Sequence, residues 1–367
     1  MGKKILYCAS TASHIINFHL PYLKAFQDMG YEVHVAVNKE VPIQWADRVI
    51  VLPFDKKYLS LKNVKAIFQA RKLLKAQQYA KICIHTTLAS TIIRVAALSI
   101  NARPRIYCIV HGYLFNLNNR LKKWFYLIPE KITASVSDIV MVMNCEDYEI
   151  ATRYKLYKDK LCYINGMGIN SSRFKSVSVD QKANHKKKLG YKEDDFLFVY
   201  AAEFSKRKNQ KLLIRAFSKV RFEKAHLLLA GDGKSLKECK ALVKELELMY
   251  RVHFLGYVHD IPSLYTACDA VVSTSLIEGL PFNILEAMGC GLPVIASNIK
   301  GHRELIEHQK NGLLFETENE EELISNIEEM CYLSSEHRLS YGQMGKEMSK
   351  KYILDSVFSQ IINAYSE

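Results

Sequence analysis

Short apolar runs recur along the chain, and stretches with helical periodicity separate them. In the first half Lys4–Ser10, Val33–Val37, Val49–Phe54, Lys81–His85, Arg105–Val110 and Ile139–Met143 read as strands. Asn17–Met29, Leu61–Gln78 and Leu88–Ile100 carry apolar residues at helical spacing. This alternation predicts parallel strands joined by crossover helices. The second half repeats it. Asp195–Ala202, His226–Ala230, Val252–Leu255, Ala270–Ser275 and Pro293–Ser297 are the strands; Lys208–Val220, Leu236–Met249 and Asn283–Cys290 are helices between them, and Glu320 to Tyr365 is helical. The expected fold is α/β: two doubly wound, Rossmann-like domains with a cleft between them. Between the halves, residues 166–190 are polar and rich in Ser and Lys, with Gly166 and Gly168 at the start. The expected division is a first domain over 1–165, a linker over 166–190, a second domain over 191–345, and a C-terminal helix over 346–367 that packs back toward the first domain.

Composition narrows the class. A chain of 367 residues is expected to form about two domains. No apolar run reaches the roughly 18 residues needed to span a bilayer. Ile5 to Ser10 is too short for the apolar core of an export signal and runs into polar residues, so it reads as the first core strand. Nine scattered cysteines without a C-x-x-C pair predict reduced thiols in a cytosolic protein, with neither a disulfide framework nor a zinc site. The net charge is +13, and residues 1–180 hold about 26 Lys and Arg against about 12 Asp and Glu, so the excess lies in the first half. No helix-turn-helix, RNP-type or zinc-finger pattern accompanies it, which argues against nucleic acid. An anionic membrane surface or a phosphorylated lipid fits better.

The densest chemistry lies in Ser275–Glu286, SLIEGLPFNILE. Glu278 and Glu286 stand eight positions apart around a Gly-Leu-Pro turn that opens a helix after a buried strand. In a parallel α/β domain this puts both carboxylates at the carboxyl edge of the sheet, where such folds bind ligands. Pro281 suits the first helical turn, and the free amides there suit an anion such as a diphosphate. Two carboxylates flanking that anion suit the hydroxyl groups of two sugars, as in a sugar nucleotide. A solvated helix start is the plainer alternative.

Other strand ends add to this. His226–Lys234 runs from a strand into a Gly231-Asp232-Gly233 turn, where backbone can approach a ligand closely; an ordinary tight turn is as consistent. Lys206, Arg207 and Lys208 crowd before a helix and could neutralise a leaving diphosphate, with Lys208 favoured because it starts the helix. His111 ends a strand of the first domain, and His14 and His19 flank the loop after the first strand. Core histidines remain an alternative for all three. Lys122, Lys123, Trp124 and Phe125 mix cations with aromatics, as does Leu61–Gln78 with its row of Lys and Arg, and either segment could lie on a bilayer interface. No metal-ligand spacing and no D-x-D at a strand's carboxyl end are present.

Together these pieces resemble glycosyltransferase family 4, the retaining enzymes of GT-B fold. The likeness covers nearly the whole chain and is strongest at the E-x7-E element, EGLPFNILE, with the AMGCGLPVIAS that follows. The segments ILYCASTASHIINFHLPYLKAF, HGYLFNLNNRLKKWFYLIPEK, DIVMVMNCEDYEIA and NGMGINSSRF resemble a narrower group, bacterial capsule and exopolysaccharide transferases that extend a lipid-linked sugar. The resemblance implies that Glu286 binds the nucleotide ribose and Glu278 the donor sugar's hydroxyls. Gly279, Leu280, Pro281, Phe282 and Asn283 would complete the donor site. Lys208 would contact the diphosphate, His111 would stand near the sugar, Gly231 and Gly233 would line the nucleotide cleft, and His14 and His19 would lie on the acceptor side. Glu203 occupies a position where many relatives have arginine, which leaves Lys206 or Arg207 to supply the second cation.

The resemblance therefore implies a metal-independent transferase with no cofactor. It would move a hexosyl or N-acetylhexosaminyl group from a UDP-sugar to a lipid-diphosphate-linked saccharide. It would work in the cytoplasm, peripherally on the inner membrane face, and keep the anomeric configuration. A sugar-nucleotide epimerase of the same architecture, or a non-catalytic membrane-associated partner subunit, are the other readings.

Overall fold

The computed structural model describes residues 3–55, 57, 59–113 and 120–366. The chain forms two compact units, Met1–Gly168 with Val357–Glu367, and Ile169–Ser356. Each unit is built on one parallel sheet.

In the first unit the strands are β1 Lys4–Cys8, β2 Glu32–Val37, β3 Arg48–Val51, β4 Lys81–His85, β5 Arg105–Val110, β6 Ile139–Val142 and β7 Lys160–Tyr163. Among the described residues their order is β3-β2-β1-β4-β5-β6-β7, every neighbouring pair parallel. Leu6, Ile82, Ile84 and Ile106 are fully buried on this sheet, against Ala66, Ala70 and Leu74 of the helix Leu61–Gln77. Each such Leu or Ile contributes roughly 1.5–3 kcal/mol over leaving it exposed. The central strands read as continuous apolar runs because both faces are covered.

In the second unit the strands are β8 Phe196–Ala201, β9 Ala225–Ala230, β10 Val252–Gly256, β11 Ala270–Ser273, β12 Val294–Ser297 and β13 Gly312–Phe315, in the order β10-β9-β8-β11-β12-β13. Strand order reverses between β1 and β4 in the first sheet, and between β8 and β11 in the second. At such a switch point the loops leaving adjacent strands diverge and open a crevice.

The stretch expected as a linker is not one throughout. Gly166 and Gly168 do have positive φ, 76° and 82°, just before the division between the units. Beyond them, Val179–Lys188 is a helix that opens on a capping box of Ser178 and Gln181. Lys182 and Lys186 of this helix bind the Asp269 carboxylate at 2.7 and 3.0 Å, and Asp269 also accepts the Leu197 amide at 2.8 Å. These bonds fasten the helix to the second unit. The segment expected as one helix from Asn17 is two, Ala12–Phe18 and Leu20–Asp28, broken at His19 ahead of Pro21. The C-terminal helix, Leu354–Ser366, delivers the buried Tyr365 into the first unit, where its hydroxyl lies 3.3 Å from those of Tyr7 and from His85 Nε2. Among the described residues no helix is long and apolar enough to cross a membrane.

Candidate functional site

The loops leaving β8 and β11, the two strands at the second switch point, carry the cations and carboxylates singled out by their order in the chain. After β8 the chain runs through Glu203 to Asn209 before the helix Gln210–Lys219 begins. Lys208 therefore precedes the helix by two residues and does not start it. Asn209 sits in the left-handed region, φ 52°, which asparagine tolerates better than most residues. The turn is pinned from below: the Tyr200 hydroxyl donates to the Lys208 carbonyl at 2.9 Å, and Thr274 Oγ1 donates to the Lys208 and Asn209 carbonyls at 3.1 and 2.9 Å.

That pinning aims Lys208 at Glu278. Lys208 Nζ lies 2.5 Å from Glu278 Oε1, and Arg207 Nη1 lies 2.8 Å from Glu278 Oε2 and 2.9 Å from the Ile277 carbonyl. Both Glu278 and Lys208 are buried. Burial alone would raise the Glu278 pKa, but Lys208 and then Arg207 outweigh it and hold the carboxyl at about 2. Gly279, Leu280 and Pro281 are buried behind Glu278 and lead into the helix Phe282–Gly289, with Pro281 as its N-cap.

Glu286 lies two turns further along and faces a different environment. It lines a cavity of about 370 Å³ with Ala201, Ala202, Glu203, Ala230, Gly231, Asp232, Tyr257, Val258, Ile261, Tyr265 and Asn283. Burial raises the Glu286 pKa to about 7, with Arg173 opposing. The Tyr265 hydroxyl and Asn283 Nδ2 line the same cavity, buried and without a hydrogen-bond partner. A carboxyl, a phenol and an amide around an otherwise mostly apolar space suit a ligand rich in hydroxyl groups. Gly231 lets this wall close: its φ is 137°, and a Cβ there would stand 2.1 Å from the Ala202 carbonyl oxygen. Gly233 meets the Phe204 backbone in the same way, though it does not line the cavity.

The structure thus gathers Glu286, Asn283, Gly231 and Glu203 at the cavity, and Glu278, Lys208 and Arg207 at an ion cluster beside the switch point. Lys206 is exposed and outside both. Tyr265 was not among the expected residues, because it stands in an apolar helix, Ile261–Ala267, as a core aromatic would. His302 is another residue not singled out. It is buried between the Ser273 and Ser297 hydroxyls, each 3.2 Å from a ring nitrogen, and burial lowers its pKa to about 4.

In the first unit four imidazoles come together at the carboxyl ends of β1, β4 and β5: His14 on the helix Ala12–Phe18, His19 just after it, His85 at the end of β4 and His111 just after β5. His14 Nε2 lies 3.4 Å from His111 Nε2, and His111 Nε2 lies 3.5 Å from His85 Nδ1. The His19 and His85 ring centres are 4.0 Å apart. Burial holds His14 at about 4 and the other three well below the usual histidine range, and their mutual repulsion adds to this for His19, His85 and His111. All four are therefore neutral near pH 7. Ligand atoms of His14, His19 and His111 fall within 4.8 Å of one another. Sequence spacing gave no hint of this grouping and had led to the expectation of no metal site.

The basic aromatic segment lies on the helix Arg120–Thr133. Trp124 and Phe125 are about half-exposed, with Ile128 and Ile132, and Lys123 Nζ sits 5.1 Å from the Tyr154 ring centre. The Lys122 side chain and residues 114–119 lie outside the described residues. On the helix Leu61–Gln77, Leu61 and Phe68 are exposed among the lysines.

Comparisons with known proteins agree with this fold. A family model described as glycosyl transferases group 1 matches residues 181–348, and one described as glycosyl transferase 4-like matches residues 4–144. The chain is 31% identical to EpsD of Bacillus subtilis (strain 168), a protein named as a glycosyltransferase, over 100% of this chain and 97% of EpsD. It is 28% identical to the UDP-Gal:alpha-D-GlcNAc-diphosphoundecaprenol alpha-1,3-galactosyltransferase of Escherichia coli, over 73% of this chain and 70% of that enzyme. Among solved structures, Anabaena Alr3699/HepE in complex with UDP and glucose superposes with a TM-score of 0.81 at 22% identity, over 100% of both chains.

Proposed function

The chain belongs to the glycosyltransferases that carry group 1 and 4-like domains, and from that premise we propose a retaining transferase that moves one sugar from a UDP-sugar to a lipid-diphosphate-linked saccharide in cell-surface polysaccharide synthesis. The observation that carries the donor half is the division of labour between Glu278 and Glu286. The cavity around Glu286, Asn283 and Tyr265 takes the ribose and base. The ion cluster at Glu278, Lys208 and Arg207 takes the diphosphate and sugar. The acceptor half rests on the E. coli relative, whose name specifies a diphosphoundecaprenol-linked sugar.

Without donor, Glu278 bridges both cations and leaves one net positive charge. An arriving diphosphate displaces it, takes Lys208 and Arg207, and leaves the carboxylate to accept hydrogen bonds from the sugar hydroxyls. Arg207 thereby supplies the second positive charge that Glu203 does not. The leaving diphosphate gathers charge as the glycosidic bond breaks, and fixed cations there lower the barrier without reorganisation. The scheme that fits is front-face displacement, in which the diphosphate oxygen accepts the proton of the incoming hydroxyl. Saturation-transfer NMR against UDP-, GDP- and ADP-sugars tests the donor site. One UDP-sugar should bind and Glu286→Ala should lose it; donor affinity unchanged in the variant would remove the ribose assignment.

A further inference from the structure

We infer that His302 is a positioning residue for the donor site: it ties the ends of β11 and β12 together and so holds the loops that carry Glu278 and Lys208 in register. The inference rests on the donor-site reading above and adds a residue that acts through its neighbours. The first observation is the bridge itself. His302 lies on the short helix Lys300–Arg303 that follows β12, and its ring is completely buried. Nδ1 stands 2.7 Å from the Ser297 carbonyl oxygen, which can only accept, so this nitrogen carries the proton. Burial keeps the ring neutral near pH 7, which leaves Nε2 to accept from the Ser273 hydroxyl at 3.2 Å. Ser273 ends β11 and Ser297 ends β12. One imidazole therefore spans both strand ends in a single tautomer.

The second is where the bonds lead. Ser297 Oγ donates to the Ser275 carbonyl at 2.5 Å, the Ser275 hydroxyl lies 2.9 Å from Tyr200 Oη, and Tyr200 Oη donates to the Lys208 carbonyl. The Leu276 amide donates to the Arg207 carbonyl at 2.8 Å. The turn bearing Arg207 and Lys208 and the segment leading to Glu278 thus share one frame, with His302 at its root. Ser273, Ser275, Ser297 and Tyr200 are all buried, as His302 is. Such a network resists displacement, because a member that moves leaves its partner unpaired in a low-dielectric interior.

The third is contact with the donor turn. Gly301, the residue before His302, packs closely against Glu278 and Gly279. The His302 ring therefore also fixes the backbone on which Glu278 rests. An apolar side chain of similar size would fill the same space and hold neither strand end.

The test compares His302→Leu, His302→Asn and His302→Gln in the full-length protein. His302→Asn can keep the bond to the Ser297 carbonyl, His302→Gln the one to Ser273, and His302→Leu neither. In transfer from the UDP-sugar, kcat should fall about 10²-fold in His302→Leu, the scale of a roughly 1 Å misplacement, and about tenfold in the other two, with donor KM within about threefold. Space-filling alone predicts another order, with His302→Leu best retained and the smaller His302→Asn worst. NMR gives a readout that needs no transfer. The Lys208 ammonium nitrogen, identified by its loss in Lys208→Met, should move toward the value of exposed lysines in His302→Leu, and the wild-type His302 ring should carry its proton on Nδ1. A wild type that transfers nothing from any UDP-sugar would remove the proposed function, and the NMR would still decide on His302. If His302→Leu does not fold, Ser273→Ala, which removes one oxygen, takes its place and should match His302→Asn. Folded His302→Leu with wild-type kcat and an unmoved Lys208 signal, the space-filling order of activities, or a proton found on Nε2 overturns the inference.

Discussion

Glu278 and Glu286 belong to one segment and have the same side chain, yet their surroundings push them in opposite directions, Glu278 down to about 2 and Glu286 up to about 7. The difference is two cations. Lys208 and Arg207 hold Glu278 ionised against its burial, while Glu286 has only Arg173 to oppose desolvation. Replacing Lys208 with Met should lower kcat about 10²–10³-fold at saturating donor, the usual scale for removing one group that stabilises developing charge. A rate within a few-fold of wild type would take Lys208 off the diphosphate. Glu286 predicts a pH effect of definite sign. Its folded pKa lies above the ordinary 4.5, so folding favours the protonated acid, and the wild type loses stability as pH rises from about 4.5 through about 7. Glu286→Gln should therefore gain on wild type across that window, by up to about 2 kcal/mol once the partial exposure of the carboxyl is allowed for. Thermal melts at pH 4 and pH 8 check it; a gap that does not widen with pH contradicts it. Both glutamates were legible in the sequence because their spacing and the turn between them are unusual. Tyr265 was not, since a phenol in an apolar helix carries no mark of the cavity it borders. The four histidines come from three segments of the chain, His14 and His19 after β1, His85 at the end of β4 and His111 after β5, and only the fold makes them neighbours.

At the scale of elements, the site is made by what strands end on. Gly301, after β12, packs against the donor turn so closely that a Cβ would stand 2.8 Å from the Gly279 carbonyl oxygen and 2.9 Å from Glu278 Cβ. Gly301→Ala must push that turn aside. Donor affinity should fall at least about tenfold, and the protein should lose about 1–3 kcal/mol of stability; unchanged affinity by titration would show that the turn has room to give. Buried central strands were plain in the sequence as apolar runs between helical stretches. The edge strands β7 and β13 were not, because Lys160–Tyr163 opens on a lysine and Gly312–Phe315 on a glycine, with no longer apolar run to mark them such as the one that continues past the edge strand β3. The helix Val179–Lys188 was hidden by its own polarity. It is held by caps and by Lys182 and Lys186 on Asp269, with little apolar face to announce it, and Ser178 with Gln181 was the signal present in the sequence.

On the scale of the whole molecule, the uneven charge is the feature that composition made plain and that the proposed acceptor explains. The excess of about 14 positive charges over residues 1–180 accompanies exposed Trp124, Phe125, Leu61 and Phe68, a combination suited to an anionic bilayer surface. Sedimentation with vesicles containing anionic lipid should show binding that weakens as salt rises, because screening shortens the reach of surface charge to about 8 Å at physiological ionic strength. Trp124→Ala with Phe125→Ala should weaken it further; binding indifferent to salt would count against an electrostatic dock.

The most direct measurement is transfer itself: purified protein, the UDP-sugar selected by binding, and a short-chain lipid-diphosphate saccharide, with the product's anomeric configuration read by NMR. The proposed function predicts a lengthened lipid-linked saccharide whose new bond keeps the donor's α configuration, with turnover lost in Lys208→Met. An inverted product would contradict the front-face scheme. Conversion of the UDP-sugar without acceptor, or no turnover by folded protein that binds donor, would contradict the transferase.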